Sequence, residues 1–142
     1  MIAIACDHAA LDLKAEVIKM LEERGLAYED FGTYTTDRCH YPIFGARAAK
    51  AVAEGRCDRG ILICGTGIGI SITANKIKGI RAALCHDVFS AEATRLHNDA
   101  NILAMGGRIV GPGLALMIVD KFLDTPFSNE ERHARRIGMM ED

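Results

Sequence analysis

Gly60-Ile61-Leu62-Ile63-Cys64-Gly65-Thr66-Gly67-Ile68-Gly69-Ile70-Ser71 decides how this chain is read. The apolar run Gly60 to Cys64 has the length and character of a buried strand. A loop with glycine at every second position follows, and a helical pattern then runs through Ala74, Asn75 and Lys76. Cys64 is thereby placed at the carboxyl end of a strand and beside a helix N-terminus, the crevice in which open α/β sheets bind ligands. Main-chain N–H groups and the positive end of the helix dipole favour an anion there and make a thiolate easier to form. A nucleophile or base next to an anion hole points to an enzyme site.

Outward from this unit, strands and helices alternate. Ile2 to Cys6 reads as the first strand, followed by a helix with Leu13, Val17, Met20 and Leu21 on one face, closed by Gly25. A short strand is predicted near Ala27 to Phe31, then a polar loop from Gly32 to His40. Tyr41-Pro42 begins a second helix with Phe44, Ala48, Val52 and Ala53, ending at Gly55. The third helix is predicted over Gly67 to Ile77. Arg81 to Cys85 is the fourth strand, Ser90 to Leu96 the core of the next helix, and Ile102 to Met105 the fifth strand. Gly111-Pro112 opens a further helix. Ser128-x-x-Glu131 has the pattern of a capping box, so a last, basic helix is predicted over about residues 128–140. No strand follows it, which leaves it free to lie on a neighbouring subunit. One α/β domain over residues 1–142 is expected, with a five-stranded parallel sheet covered on both faces.

Composition narrows the function. With 17 basic and 19 acidic residues the net charge is −2, which gives no general attraction to nucleic acid or anionic membrane. Met1 to Ala5 lacks a basic n-region and is not a signal peptide, and no apolar stretch has the length of a membrane span. The five cysteines are odd in number and have no C-x-x-C spacing, which argues against a disulfide framework and a thiolate zinc site. Reduced thiols and a cytoplasmic location are expected.

Each candidate residue has a plainer reading beside the chemical one. Cys64 is also compatible with a small core hydrophobe, as is Cys85, which ends a strand without a glycine loop after it. The Gly65 to Gly69 loop is not a P-loop, and it misses G-x-G-x-x-G by one residue. Asp87, roughly twenty residues on, sits where a ribose-binding acid would stand in a nucleotide-binding module. Asp7-His8 reads equally as a helix cap plus a surface histidine. His97-Asn98-Asp99-Ala100-Asn101 reads as a polar turn at the edge of the sheet opposite Cys64, unless the helix end overhangs. Arg132 and Arg136 face the same way on the last helix and suit a bidentate grip on phosphate, or form a solvated basic terminus. Arg108 is a third phosphate contact or a surface residue.

Taken in order, Asp7-His8, Tyr41-Pro42, Cys64-Gly-Thr-Gly-Ile-Gly-Ile-Ser, Ala74-Asn75-Lys76, Gly79-Ile80-Arg81-Ala82, His97-Asn98-Asp99-Ala100-Asn101 and Arg132-His133-x-x-Arg136 resemble the type B ribose-5-phosphate isomerases and the related galactose-6-phosphate isomerases. The resemblance covers essentially the whole chain. It implies a Rossmann-like α/β/α sandwich and a homodimer or dimer of dimers with active sites shared between subunits. It also implies an aldose–ketose isomerase of a sugar phosphate, most closely ribose 5-phosphate, with no metal or organic cofactor. By the matching motifs, Cys64 would be the base and His97 the acid that helps open the sugar ring. Gly65, Thr66, Gly67, Ile68 and Gly69 would hold the enediolate oxyanion with Asn98 assisting. Asp7, His8 and Tyr41 would contact substrate, and Arg108, Arg132 and Arg136 would grip the phosphate.

Four positions depart from or vary within that family. Some members replace the cysteine by a glutamate a few residues later, where this chain has Ile70. His40 stands where the family commonly has aspartate before Tyr-Pro, which bears on the preferred sugar. Glu130-Glu131 replaces a common Gly-Gly before Arg-His, with Glu131 expected to be engaged in capping. A six-carbon sugar phosphate (allose or galactose 6-phosphate), a non-catalytic binding subunit and a nucleotide-binding module are the competing readings.

Overall fold

A computed structural model describes residues 1–142. Five strands and six helices follow one another: β1 Ile2–Cys6, α1 Leu11–Glu23, β2 Tyr28–Asp30, α2 Tyr41–Ala53, β3 Arg59–Cys64, α3 Ile68–Asn75, β4 Ala82–Leu84, α4 Val88–Asn98, β5 Ile102–Gly106, α5 Pro112–Asp124 and α6 Glu131–Glu141. The strands form one parallel sheet in the order β2-β1-β3-β5-β4. The predicted α/β fold with an additional C-terminal helix is therefore present. Gly25 and Gly55 end α1 and α2 with φ of 68° and 79°, a left-handed turn that costs glycine nothing.

Alternation along the central strands builds two apolar layers. Ile4, Cys6, Ile61, Ile63, Leu103 and Met105 face one side with Val17, Leu21, Ile118 and Phe122 of α1 and α5. Ala3, Ala5, Leu62, Cys64, Ile102 and Ala104 face the other, against Ala48, Ala49 and Val52 of α2 and Ile70 and Ala74 of α3. β5 is buried throughout and runs centrally, whereas the short β4 (Ala82-Ala83-Leu84) is partly exposed and takes the edge. No helix is long and apolar enough to cross a membrane.

α6 differs from the expected form. It starts at Glu131, with Glu130 as an N-cap that makes no side-chain bond. The Ser128 hydroxyl instead accepts the Glu130 N–H at 3.4 Å, and Glu131 pairs with Arg135 at 2.8 Å, so the capping box does not form. Its partners were diverted because Arg135 offers the Glu131 carboxylate a full charge one turn away. His133 is the one buried residue of α6.

One buried cation anchors the loop after β2. Lys14, 4% exposed on α1, donates to Asp30 Oδ1 at 2.8 Å and to the Thr33 carbonyl at 2.6 Å. Removing the ammonium leaves a largely buried carboxylate unpaired. Lys14→Met is expected to lower the unfolding free energy by about 3 kcal/mol in urea denaturation. A loss near zero would contradict the anchoring role.

Candidate active site

The site begins with two stretches of main chain pressed together. A Cβ on Gly106 would lie 2.6 Å from the Thr66 carbonyl carbon, and one on Gly67 2.6 Å from that of Met105. Glycine at both positions lets the loop after β3 lie directly on the end of β5. Gly67 also takes φ 78°, which turns the chain into α3. In that conformation its N–H donates to Cys64 Sγ at 3.1 Å. Ile68 N–H is taken by Thr66 Oγ1 at 3.2 Å, while the N–H groups of Gly65, Thr66, Gly69 and Ile70 donate to no protein acceptor. The loop thus presents a set of preoriented donors around a cysteine sulfur.

Strand parity separates this cysteine from its relatives at other strand ends. Cys6 and Cys85 point into the α1/α5 layer, where burial pushes their thiols up to about 12 and about 11 and keeps them protonated. Cys64 points to the opposite face and opens into a cleft of about 270 Å³. Asp7, His8, Tyr41, Gly65, Thr66, Gly69 and Arg108 line the same cleft. Asp7 does not cap α1: its Oδ1 accepts the Ala9 N–H at 2.9 Å, and Ala10 is the N-cap. Tyr41, at the start of α2, lays its ring where a side chain on Gly69 would be. Arg108 lies along Gly65 (3.6 Å from the Cβ position there), exposed and in no ion pair, so its charge is available to an anion.

His97, Asn98, Arg132 and Arg136 are elsewhere. α4 runs against the strand direction and delivers Asn98 to the amino end of β5, where Ile102 pairs with Gly60 and Cys64 with Gly106. Four residues of strand separate those levels, roughly 13 Å at the usual rise. The Arg81 guanidinium pins this turn by donating to the carbonyls of Asn98 and Asp99 at 2.8 and 2.9 Å. His97 is exposed and stacks on His133 of α6, with centroids 4.4 Å apart and planes at 18°. Burial, then the neighbouring His97, pushes the His133 imidazole below its ordinary value. Its Nε2 lies 3.0 Å from Glu130 Oε2 but off the direction of a hydrogen bond. Arg132 pairs with Glu130 at 3.3 Å, while Arg136 has no ion pair. The fourteen candidate residues therefore fall into two groups at opposite edges of one sheet.

Residues 2–140 match the model of the Ribose/Galactose Isomerase family. The chain belongs to that family. It is 49% identical over 136 residues to ribose-5-phosphate isomerase B of Escherichia coli, covering 96% of this chain and 91% of that one. A galactose-6-phosphate isomerase subunit of Clostridium acetobutylicum is 48% identical over 127 residues, 89% of this chain and 73% of its own. The solved structure of Clostridium thermocellum ribose-5-phosphate isomerase B superposes with a TM-score of 0.96 at 51% identity, over 99% of this chain and 94% of that one. This member of the isomerase family is accordingly a sugar-phosphate isomerase that interconverts an aldose and a ketose.

Three residues without an evident sequence signature of function touch the loop or the cleft: Gly106 lies against Thr66, Leu84 against Gly67, and Cys39 donates its N–H to His8. The doublet Gly106-Gly107 directly after an apolar strand was the available signal for the first. Gly106→Ala forces the loop off β5 and is expected to lower kcat about 100-fold, as ångström-scale misplacement does. Gly113→Ala, whose Cβ meets nothing within 4 Å, should leave kcat unchanged. Steady-state kinetics of the two variants with circular dichroism as a folding control checks this, and equal activities would contradict it.

Proposed function

We propose that this isomerase interconverts ribose 5-phosphate and ribulose 5-phosphate through a cis-enediolate, with Cys64 as the base, and that a second copy of the chain completes each site. The division of the candidate residues between opposite sheet edges carries the reading. The Cys64 edge holds Cys64, its oxyanion loop and Arg108, but neither the His97 nor the Arg132/Arg136 pair of the family's motifs. The opposite edge holds His97, Asn98, Arg132 and Arg136 without the cysteine and its donor loop. A cleft of about 270 Å³ is also at the small end for a ligand site, consistent with half of one.

The apolar surface supports a second copy as the occupant. Ile68, Leu84 and Phe89 are 51%, 38% and 79% exposed, and Leu84 lies against Gly67. Exposed apolar side chains grouped at the rim of a site mark a contact surface. A partner seated there brings its α4 end and α6 toward the cleft, and its Met139 and Met140 are exposed on α6. The same contact removes water from the loop donors, which raises their value to a developing negative charge.

The chemistry then runs on protein groups of both chains. His97 of the partner subunit delivers a proton to the ring oxygen as its bond to the anomeric carbon breaks, while the anomeric hydroxyl loses its proton to water and becomes the carbonyl. Cys64 removes the proton from the carbon next to the carbonyl, and the electron pair moves onto the carbonyl oxygen. The free N–H groups of the loop meet that oxyanion, with Asn98 of the partner subunit assisting. A proton then passes from the neighbouring hydroxyl oxygen to the former carbonyl oxygen, and return of the first proton from Cys64 to the former carbonyl carbon gives the ketose. Arg108 on one side and Arg132 and Arg136 of the partner subunit on the other neutralise the phosphate. All five cysteines are free thiols, which suits a reducing compartment such as the cytoplasm.

A panel of ribose, allose and galactose phosphates tests the substrate, with ribose 5-phosphate expected to give the highest kcat/KM. Preference for a six-carbon phosphate would replace the ribose assignment. Activity should survive exhaustive chelation. Cys64→Ala is expected to abolish proton exchange beside the carbonyl, a loss of ~10²–10⁴-fold, whichever form of sugar is supplied. His97→Asn should slow mainly the cyclic form. Exchange within a few-fold of wild type in Cys64→Ala would place the base elsewhere.

A further inference from the structure

The polar segment between β2 and α2 is tied down at both ends, and its far end touches His8. At the near end Lys14 holds Asp30 and the Thr33 carbonyl, and the Gly32 N–H donates to Asp30 Oδ1 at 2.9 Å. Thr33 N–H donates to the Cys6 carbonyl, and Cys6 N–H to the Gly32 carbonyl, both at 2.7 Å. The Tyr34 ring covers the Lys14 ammonium at 5.1 Å while its hydroxyl donates to the Asp30 carbonyl at 2.8 Å. At the far end Tyr41 is seated against Gly69. Residues 34–38 are exposed between these anchors, and Cys39 returns to half-buried surroundings.

Cys39 meets a single atom of the site. Its main-chain N–H donates to His8 Nδ1 at 3.2 Å, and its thiol sulfur lies 3.8 Å from the same nitrogen. A nitrogen that accepts an N–H carries no proton of its own, so a neutral His8 must carry it on Nε2. Nε2 has no protein partner, and His8 lines the Cys64 cleft. We propose that the Gly32–His40 segment is a positioning element, in which the Cys39 N–H fixes the orientation and tautomer of His8 so that its Nε2–H donates to the bound substrate. This rests on the reading of the Cys64 cleft as a sugar-phosphate site. The segment makes no contact with the reacting atoms. It acts through one imidazole, and Lys14 supplies the rigidity.

Long-range ¹H–¹⁵N correlation spectra of ¹⁵N-histidine protein at alkaline pH report the tautomer directly, with the His8 signals assigned by their loss in His8→Gln. The wild type should show a protonated Nε2 and an unprotonated Nδ1, with or without inorganic phosphate. Cys39→Ala keeps the main-chain donor and should keep the tautomer. Cys39→Pro removes the donor and should give an averaged mixture, and if that variant fails to fold, the wild-type and Cys39→Ala spectra still decide. A protonated Nδ1 or an averaged signal in the wild type overturns the proposal.

Kinetics then test the donor. His8→Leu should raise KM about 10–100-fold with kcat little changed, as loss of a charge-assisted hydrogen bond would. His8→Gln, which carries an N–H near the Nε2 position, should recover most of that loss, and His8→Asn, which carries one near Nδ1, should not. Equal behaviour of Gln and Asn overturns the donor role. Failure of the wild type to turn over any sugar phosphate sinks the functional reading instead, and the tautomer spectrum stands apart from it.

Discussion

The structure depends on the contact between two pieces of main chain, Thr66-Gly67 after β3 and Met105-Gly106 at the end of β5. Neither side has room for a Cβ: one on Gly67 would meet the Met105 main chain and the Leu84 side chain, and one on Gly106 the Thr66 main chain. Protein interiors are packed too densely to absorb such a change locally, so a methyl group there displaces the whole loop. The approach sets the left-handed turn at Gly67, and that turn aims its N–H at the Cys64 sulfur and leaves four further N–H groups without acceptors. Unpaired main-chain donors are costly to hold in a fold unless solvent or a ligand meets them. Here they lie in one short loop and the first turn of α3, directly after Cys64, and fixed donors of this kind suit charge developing on a carbonyl oxygen.

The second constraint is polarity. In a parallel sheet every strand ends on the same edge, and every returning helix ends on the other. Asp7, Cys64, Gly106 and Arg108 end or follow strands and so collect at the carboxyl edge, whereas Asn98 ends a helix and cannot join them. Helix α6 reinforces the separation, since its one buried residue, His133, is committed to stacking on His97. The proposed acid–base site draws on both groups and so on two chains, and Ile68, Leu84 and Phe89 are exposed apolar side chains that a second copy would cover.

The fold was legible because its signals are periodic or local. Apolar strands of the right length, helix faces at threefold and fourfold spacing, and glycines after α1 and α2 each act within a few residues. The strand order was not legible, because nothing local says that β5 inserts between β3 and β4. It follows from burial, the wholly apolar Ile102–Gly106 displacing the weaker Ala82–Leu84 to the edge. The Ser128/Glu131 capping box failed for a related reason: the pattern lies within one turn, but Arg135 competes for the Glu131 carboxylate. At the site, the glycine loop and Cys64 could be read directly, whereas the edge on which His97 lies was left open by ordinary topology. The hold of Cys39 on His8 spans thirty-one positions of sequence, and a main-chain donor leaves no mark on residue identity.

Subunit mixing distinguishes a site shared between chains from one built within a single chain. A Cys64→Ala chain and an Arg132→Ala/Arg136→Ala chain are each inactive as homo-oligomers on this account, because every site lacks either its base or its phosphate grip. Under conditions where subunits demonstrably exchange, mixing them gives hybrids in which one site receives an intact cysteine from one chain and intact arginines from the other. The account predicts that mixing restores part of the activity, approaching one working site per hybrid dimer. Mixed samples as inactive as the unmixed ones, despite exchange, would contradict it and return the arginines to the service of their own chain.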